Sequence, residues 1–123
     1  MTIDANIVIA YLGGDGPVIK VLSEWKKEGR PLFLPTVVET EILSFSRWTG
    51  EEQKYTEQFL EENFISVSFS RLVSRIAAEI RRENKIKFPD AIIAASALFT
   101  KTPVVTRNIR DFKRISGLQI VSL

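Results

Sequence analysis

Lys87-Phe88-Pro89-Asp90-Ala91-Ile92-Ile93-Ala94-Ala95 is the stretch on which the reading of this chain turns. Pro89 stands where a helix's first turn tolerates it, because the missing N–H is one the helix leaves unbonded anyway. Asp90 follows at once, close to the positive end of the helix dipole. Behind it, Ala91 to Leu98 is small or apolar on every face, the pattern of a helix buried on most sides. A charge fixed at the mouth of a buried helix is a rigid mount for chemistry. An Asp in a first turn more often serves only its helix, so its meaning depends on what the other elements bring beside it.

Composition narrows the options. A chain of 123 residues, 45% hydrophobic and 26% charged, suits one globular domain spanning residues 1–123. No apolar run reaches the roughly 18 residues that span a bilayer. The start lacks a signal peptide's basic and apolar regions, so a complete, cytoplasmic protein is expected, with no membrane partner. With no Cys there is no disulfide, thiol nucleophile or Cys-bound zinc, and with no His there is no imidazole base and no Ser-His-Asp triad. Any hydrolysis must therefore run on carboxylates, hydroxyls, amides and a hard, oxygen-loving metal. Net charge is +2, but residues 1–61 hold 6 Lys/Arg against 10 Asp/Glu, and residues 62–123 hold 11 against 5. The basic residues gather at Arg71–Lys87 and Arg107–Arg114, which suits either a phosphate backbone or solvated helix faces.

Outward from the Pro89 helix, strands and helices alternate. Met1-Thr2-Ile3 reads as a strand ending at Asp4, and Ile7–Leu12 as the helix after it. Gly13-Gly14-Asp15-Gly16 fits neither the dinucleotide nor the P-loop pattern. Pro17 opens a helix with Val18, Val21, Leu22 and Trp25 on one face, and Gly29 ends it. Leu32–Leu34 is a buried strand. Thr36 and Glu39 form a capping-box pattern, which gives Glu39 a structural task. Glu41 has none so obvious: it falls in the stripe of Val38, Ile42, Phe45 and Trp48, expected to turn inward, where a carboxylate is costly unless paired. Glu41 is therefore preferred as functional. Thr49-Gly50-Glu51-Glu52 repeats the capping pattern and opens the helix Glu51–Glu62. Phe64–Phe69 alternates as a strand. Ser70 caps a helix with Leu72, Val73, Ile76, Ala77 and Ile80 inward. Pro103–Val105 is a strand ending at Thr106-Arg107-Asn108, Ile109–Phe112 is a helical turn, and Leu118–Val121 closes the sheet. Alternation of this kind predicts a three-layer α/β/α domain with a mostly parallel sheet of four to five strands. Right-handed crossovers then bring Asp4, Glu41, Asp90 and the Thr106–Asp111 segment to one edge, as a metal site.

Ile3-Asp4-Ala5-Asn6, Glu41-Ile42-Leu43, Pro89-Asp90-Ala91-Ile92-Ile93 and Val105-Thr106-Arg107-Asn108-Ile109-Arg110-Asp111 resemble, in order and spacing, the four motifs of PIN-domain ribonucleases, especially the VapC type of toxin–antitoxin systems. Ala5 departs from them, standing where the family often has Thr or Ser. The resemblance implies Mg²⁺ or Mn²⁺ held by Asp4, Glu41, Asp90 and Asp111, with Asn6, Thr106 and Asn108 orienting ligands or water. Asn108 and Asp111 both remain candidates for the fourth position. It further implies cleavage of RNA by water, a homodimer, and an antitoxin docked on the aromatic helices Val37–Trp48 and Glu51–Glu62. The positive charge left over outside the acids makes Arg82, Lys85, Lys87, Arg107 and Arg110 the expected phosphate contacts. The rivals are a housekeeping RNA-processing nuclease without antitoxin and an inactive RNA- or protein-binding module. The full set of acids speaks against the inactive module. A dehalogenase-type phosphatase would need a second Asp where Asn6 stands.

Overall fold

The computed structural model describes all residues, 1–123. Five strands, β1 (Thr2–Ile3), β2 (Phe33–Pro35), β3 (Ile65–Val67), β4 (Val104–Thr106) and β5 (Ile120–Ser122), form one sheet in the order β3-β2-β1-β4-β5, every pair parallel. Seven helices connect them: α1 (Ala5–Leu12), α2 (Gly16–Lys27), α3 (Thr36–Leu43), α4 (Gly50–Asn63), α5 (Arg71–Glu83), α6 (Phe88–Thr100) and α7 (Ile109–Phe112). The central strands are buried through Ile3, Leu34, Val104 and Val105, as a parallel sheet covered on both faces requires.

The chain steps from β1 outward to β2 and β3, crosses back to β4, and continues outward to β5 on the other side. Right-handed crossovers taken in opposite directions place their helices on opposite faces, which gives the three layers. The reversal falls between β1 and β4, where the backbone N–H of Asp4 donates to the carbonyl of Val105 at 3.0 Å. The loops leaving these two strands part company there, and a crevice opens at the sheet's carboxyl edge.

Helix α6 is the core of one layer. Lys87 is its N-cap, Pro89 lies in its first turn, and every residue from Ala91 to Ala97 is buried. The alanines let it lie close to its neighbours, and it packs against α3, α5, β1, β2 and β4. At its far end the hydroxyls of Thr2, Thr100 and Thr102 close a triangle of hydrogen bonds, 2.7 to 3.1 Å on a side. That triangle ties β1 to the end of α6.

Three local expectations give way. Pro35, not Thr36, caps α3, and no side-chain cap forms. The Thr36 hydroxyl instead accepts from the Phe69 N–H at 3.3 Å, so Glu39 has no capping partner. Helix α3 stops at Leu43 rather than running on to Trp48, which leaves Phe45 53% exposed, and Glu41 within the helix is exposed rather than turned inward. Leu72, expected inward, is 54% exposed: it begins the first turn of α5, beyond the sheet's cover. The Thr49–Glu52 capping box forms in full, with both reciprocal bonds. Thr49→Ala should cost about 1 kcal/mol in urea unfolding, whereas Glu39→Ala should stay within about 0.5 kcal/mol of wild type.

Candidate active site

Asp4 ends β1 and caps α1, so its backbone is fixed from both directions. It is a buried carboxylate, 5% exposed, and its oxygens are matched by donors. Ala5 N–H donates to Oδ1 at 2.7 Å, the Thr106 hydroxyl to Oδ2 at 2.7 Å, and Asn6 Nδ2 to Oδ2 at 3.3 Å. Thr106 is the hub. While donating to Asp4 it accepts from the Asn108 N–H at 2.9 Å and from Asn6 Nδ2 at 3.4 Å. Asn6 is oriented in turn by the Arg107 N–H, which donates to its Oδ1 at 3.3 Å. Burial pushes the Asp4 carboxyl above its ordinary range; the Thr106 and Ala5 bonds pull it back, and the charge of Asp111 raises it again.

Asp90, in the first turn of α6, faces the same crevice. Burial first, and then the charges of Asp111, Asp4 and Glu41, raise its carboxyl to about 6 against the opposing pull of Lys87. The other three predicted acids therefore all bear on Asp90, although the four come from separate elements. Asp4 is buried and Asp90 half-buried, whereas Glu41 and Asp111 stand exposed on the rim. No three of the chain's acids are arranged around one point to hold an ion. The donor set is nonetheless made of hard oxygens suited to Mg²⁺ or Mn²⁺, and its mutual repulsion is what a bound cation relieves.

The surroundings differ on the two sides. A groove of about 760 Å³ that includes Asp90 and Asp111 lies between residues 83–87 and 110–115, lined also by Glu83, Lys85, Lys87, Arg110, Lys113 and Arg114. Lys113 and Arg114 were not singled out from the sequence. Their spacing from Arg110, three and four residues on, was the available signal, since such positions share a helix face. Arg82 is not among the lining residues. Arg107 is committed elsewhere: its guanidinium pairs with Asp15 at 2.7 Å and donates to the Leu123 carbonyl at 3.1 Å. That bond holds the Asp15 carboxyl below its ordinary range. Asn108 is the N-cap of α7; its side chain makes no capping bond, and its backbone serves Thr106.

Beyond Glu41 lies a different surface, a groove of about 450 Å³ formed by Ile9, Leu12, Ile42, Phe45 and Trp48. A hollow of about 360 Å³ containing Leu12, Trp48 and Tyr55 extends it towards α4. Trp48 is anchored by its Nε1–H, which donates to the Ile42 carbonyl at 3.0 Å, and Phe45 meets its ring edge-on at 5.2 Å. The sequence pointed to α3 and α4 for this surface but not to α1.

A model of the PIN-domain family matches residues 1–118 of the chain. Among solved structures, the fold is similar to a chain of the VapBC2 complex from Rickettsia felis bound to promoter DNA, with a TM-score of 0.86 and 23% identity over 99% of this chain and 97% of that one. A chain of a toxin–antitoxin complex from Klebsiella pneumoniae has a TM-score of 0.81 and 26% identity over 98% and 94%. A chain of FitAcB from Neisseria gonorrhoeae has a TM-score of 0.77 and 21% identity over 97% and 94%. No curated protein sequence matches. No single helix is long and apolar enough to cross a membrane.

The burial of Asp90, with the repulsion of its neighbouring acids, has a measurable cost. Its folded pKa, about 6, lies above the ordinary 3.8, so ionisation destabilises the fold increasingly as pH rises from about 4 through 6. In buffer free of divalent cations, Asp90→Asn should therefore raise stability at pH 7.5 by about 1 kcal/mol, or roughly 4 °C in Tm, after discounting for solvent screening. The gain should vanish near pH 4; equal gains at both pH values would contradict the assignment.

Proposed function

The chain belongs to the PIN-domain family, and on that premise we propose that it is a Mg²⁺- or Mn²⁺-dependent endoribonuclease, the toxin of a type II toxin–antitoxin pair acting in the cytoplasm. What supports this is that Asp4, Glu41 and Asp111 all bear on the Asp90 carboxyl at the edge of the sheet where β1 and β4 meet. In a chain without His or Cys, such a cluster has few other uses.

Asp4, Asp90, Glu41 and Asp111 are the proposed metal ligands. When bound, the cation acidifies water and offsets charge building on the phosphate. The chain's own groups supply the positioning. Thr106 and Asn6 hold one oxygen of Asp4 by hydrogen bonds and leave its geometry little freedom. Asp90 is carried by a helix too well buried to shift, which suits a group that must hold its place through bond cleavage. Asn108, on the rim, has a side chain free to orient water.

The antitoxin is proposed to lay an apolar segment along Ile9, Leu12, Phe45 and Trp48, the groove that reaches Glu41; the Klebsiella relative, solved as a toxin–antitoxin complex, supports such a partner. Self-association is proposed through the exposed pair Phe69 and Phe88, which meet at 6.1 Å with the Arg81 guanidinium 5.5 Å from the Phe88 ring centroid.

Purified protein should cut RNA in Mg²⁺ or Mn²⁺ and stop in EDTA. Asp4→Asn and Asp90→Asn should each lower the rate by about 10²-fold or more, with Glu41→Gln well below Glu39→Ala. Expression of wild type should arrest growth and Asp4→Asn should not; unchanged cleavage by Asp90→Asn would overturn the site. An arrest that no co-expressed small partner relieves would favour a processing enzyme over a toxin.

A further inference from the structure

Resting on the ribonuclease reading of the same site, we infer that single-stranded RNA is gripped on one side only of the phosphate being cut, with Lys113 and Arg114 among the residues that grip it. The basic groove includes Asp90 and Asp111 but neither Asp4 nor Glu41. The acids therefore lie between two surfaces, Asp90 and Asp111 bordering the basic groove and Glu41 the apolar one. Lys85 and Lys87 form one wall, and Arg110, Lys113 and Arg114 the other.

None of these five cations is in an ion pair. The chain's two salt bridges, Arg30–Glu28 and Arg107–Asp15, lie elsewhere. These five cations outnumber the three carboxylates of the same lining, Glu83, Asp90 and Asp111, and a polyanion is the ligand that suits the excess. The only hydrophobic residues lining the groove are Ile86 and Ile115, so it offers no aromatic ring for a base to stack on. Contacts there are to the backbone and are blind to base identity. Cations on both walls suit one strand lying between them.

Past the acids, the strand would meet Ile9, Leu12, Glu41, Phe45 and Trp48, a surface without a single cation. A backbone crossing the acids is thus held firmly on the Lys113 side and hardly at all on the other. Cleavage should need several nucleotides on one side of the cut and few on the other. The residues that set this are exposed, so they can be changed without disturbing the core.

The test compares Lys113→Ala/Arg114→Ala with a control, Arg71→Ala/Arg75→Ala, on the exposed face of α5. Binding of a labelled uridine 12-mer is followed by anisotropy in the Asp90→Asn background across a KCl series. The groove variant should lower the slope of log K against log salt by about 1.4, or roughly 0.7 for each phosphate left without its cation, and the control should leave it unchanged. In parallel, wild-type digests of 5′- and 3′-labelled RNA should stop short of one end and run close to the other. The groove variant should lose that margin. An unchanged slope, an equal loss in the control, or cuts stopping equally short of both ends would each overturn the inference. A wild type that shows the slope change yet cuts no RNA would overturn the ribonuclease reading instead.

Discussion

A single hydroxyl proton, given by Thr106 to Asp4 at 2.7 Å, joins the two strands whose separation makes the site. Without it the buried carboxylate would have one oxygen served only by Asn6 at 3.3 Å. A buried anion lacking donors is expensive, and the alternative is for Asp4 to hold its proton. The same hydroxyl accepts from Asn108 and Asn6, so the bends after β1 and β4 are set by one atom. The switch-point topology brings the two chain ends near each other, and Thr106 then decides how near.

Much of this was legible beforehand because it depends on local pattern. Alternating elements predicted a parallel sheet, and five parallel strands are present. The apolar run after Asp90 predicted a helix buried on most sides, and Ala91 to Ala97 are buried. Glu41 was selected on the wrong physical ground. It was expected on an inward stripe continuing to Trp48, but α3 ends at Leu43 and Glu41 is exposed. It still lies near enough to act on Asp90, because the end of β2 feeds α3 into the crevice. Periodicity assumes that a helix continues, and nothing local announced the stop at Ser44.

The contacts that escaped sequence reading are those made between distant segments. Asp15 sits in a glycine-rich loop that fits no binding motif, yet it pairs with Arg107, 92 positions away. This removes Arg107 from the groove, where composition alone had placed it. The reverse holds for Lys113 and Arg114, which pass for solvated charges until the turn of α7 sets them opposite Lys85 and Lys87. A count of basic residues says how many phosphates can be met; only the fold says which residues meet them.

Helix α6 also limits how this protein can change. Ala91, Ala94, Ala95 and Ala97 are at most 1% exposed, and no substitution at such positions is cheap. Added carbon there would strain a close-packed interior, and glycine would weaken the helix. The segment that holds Asp90 is therefore mutationally brittle although its alanines carry no chemistry. The cation-lined groove is the opposite, with exposed side chains whose loss costs the fold little. Sequence drift can proceed in that groove while the segment behind Asp90 stays nearly frozen.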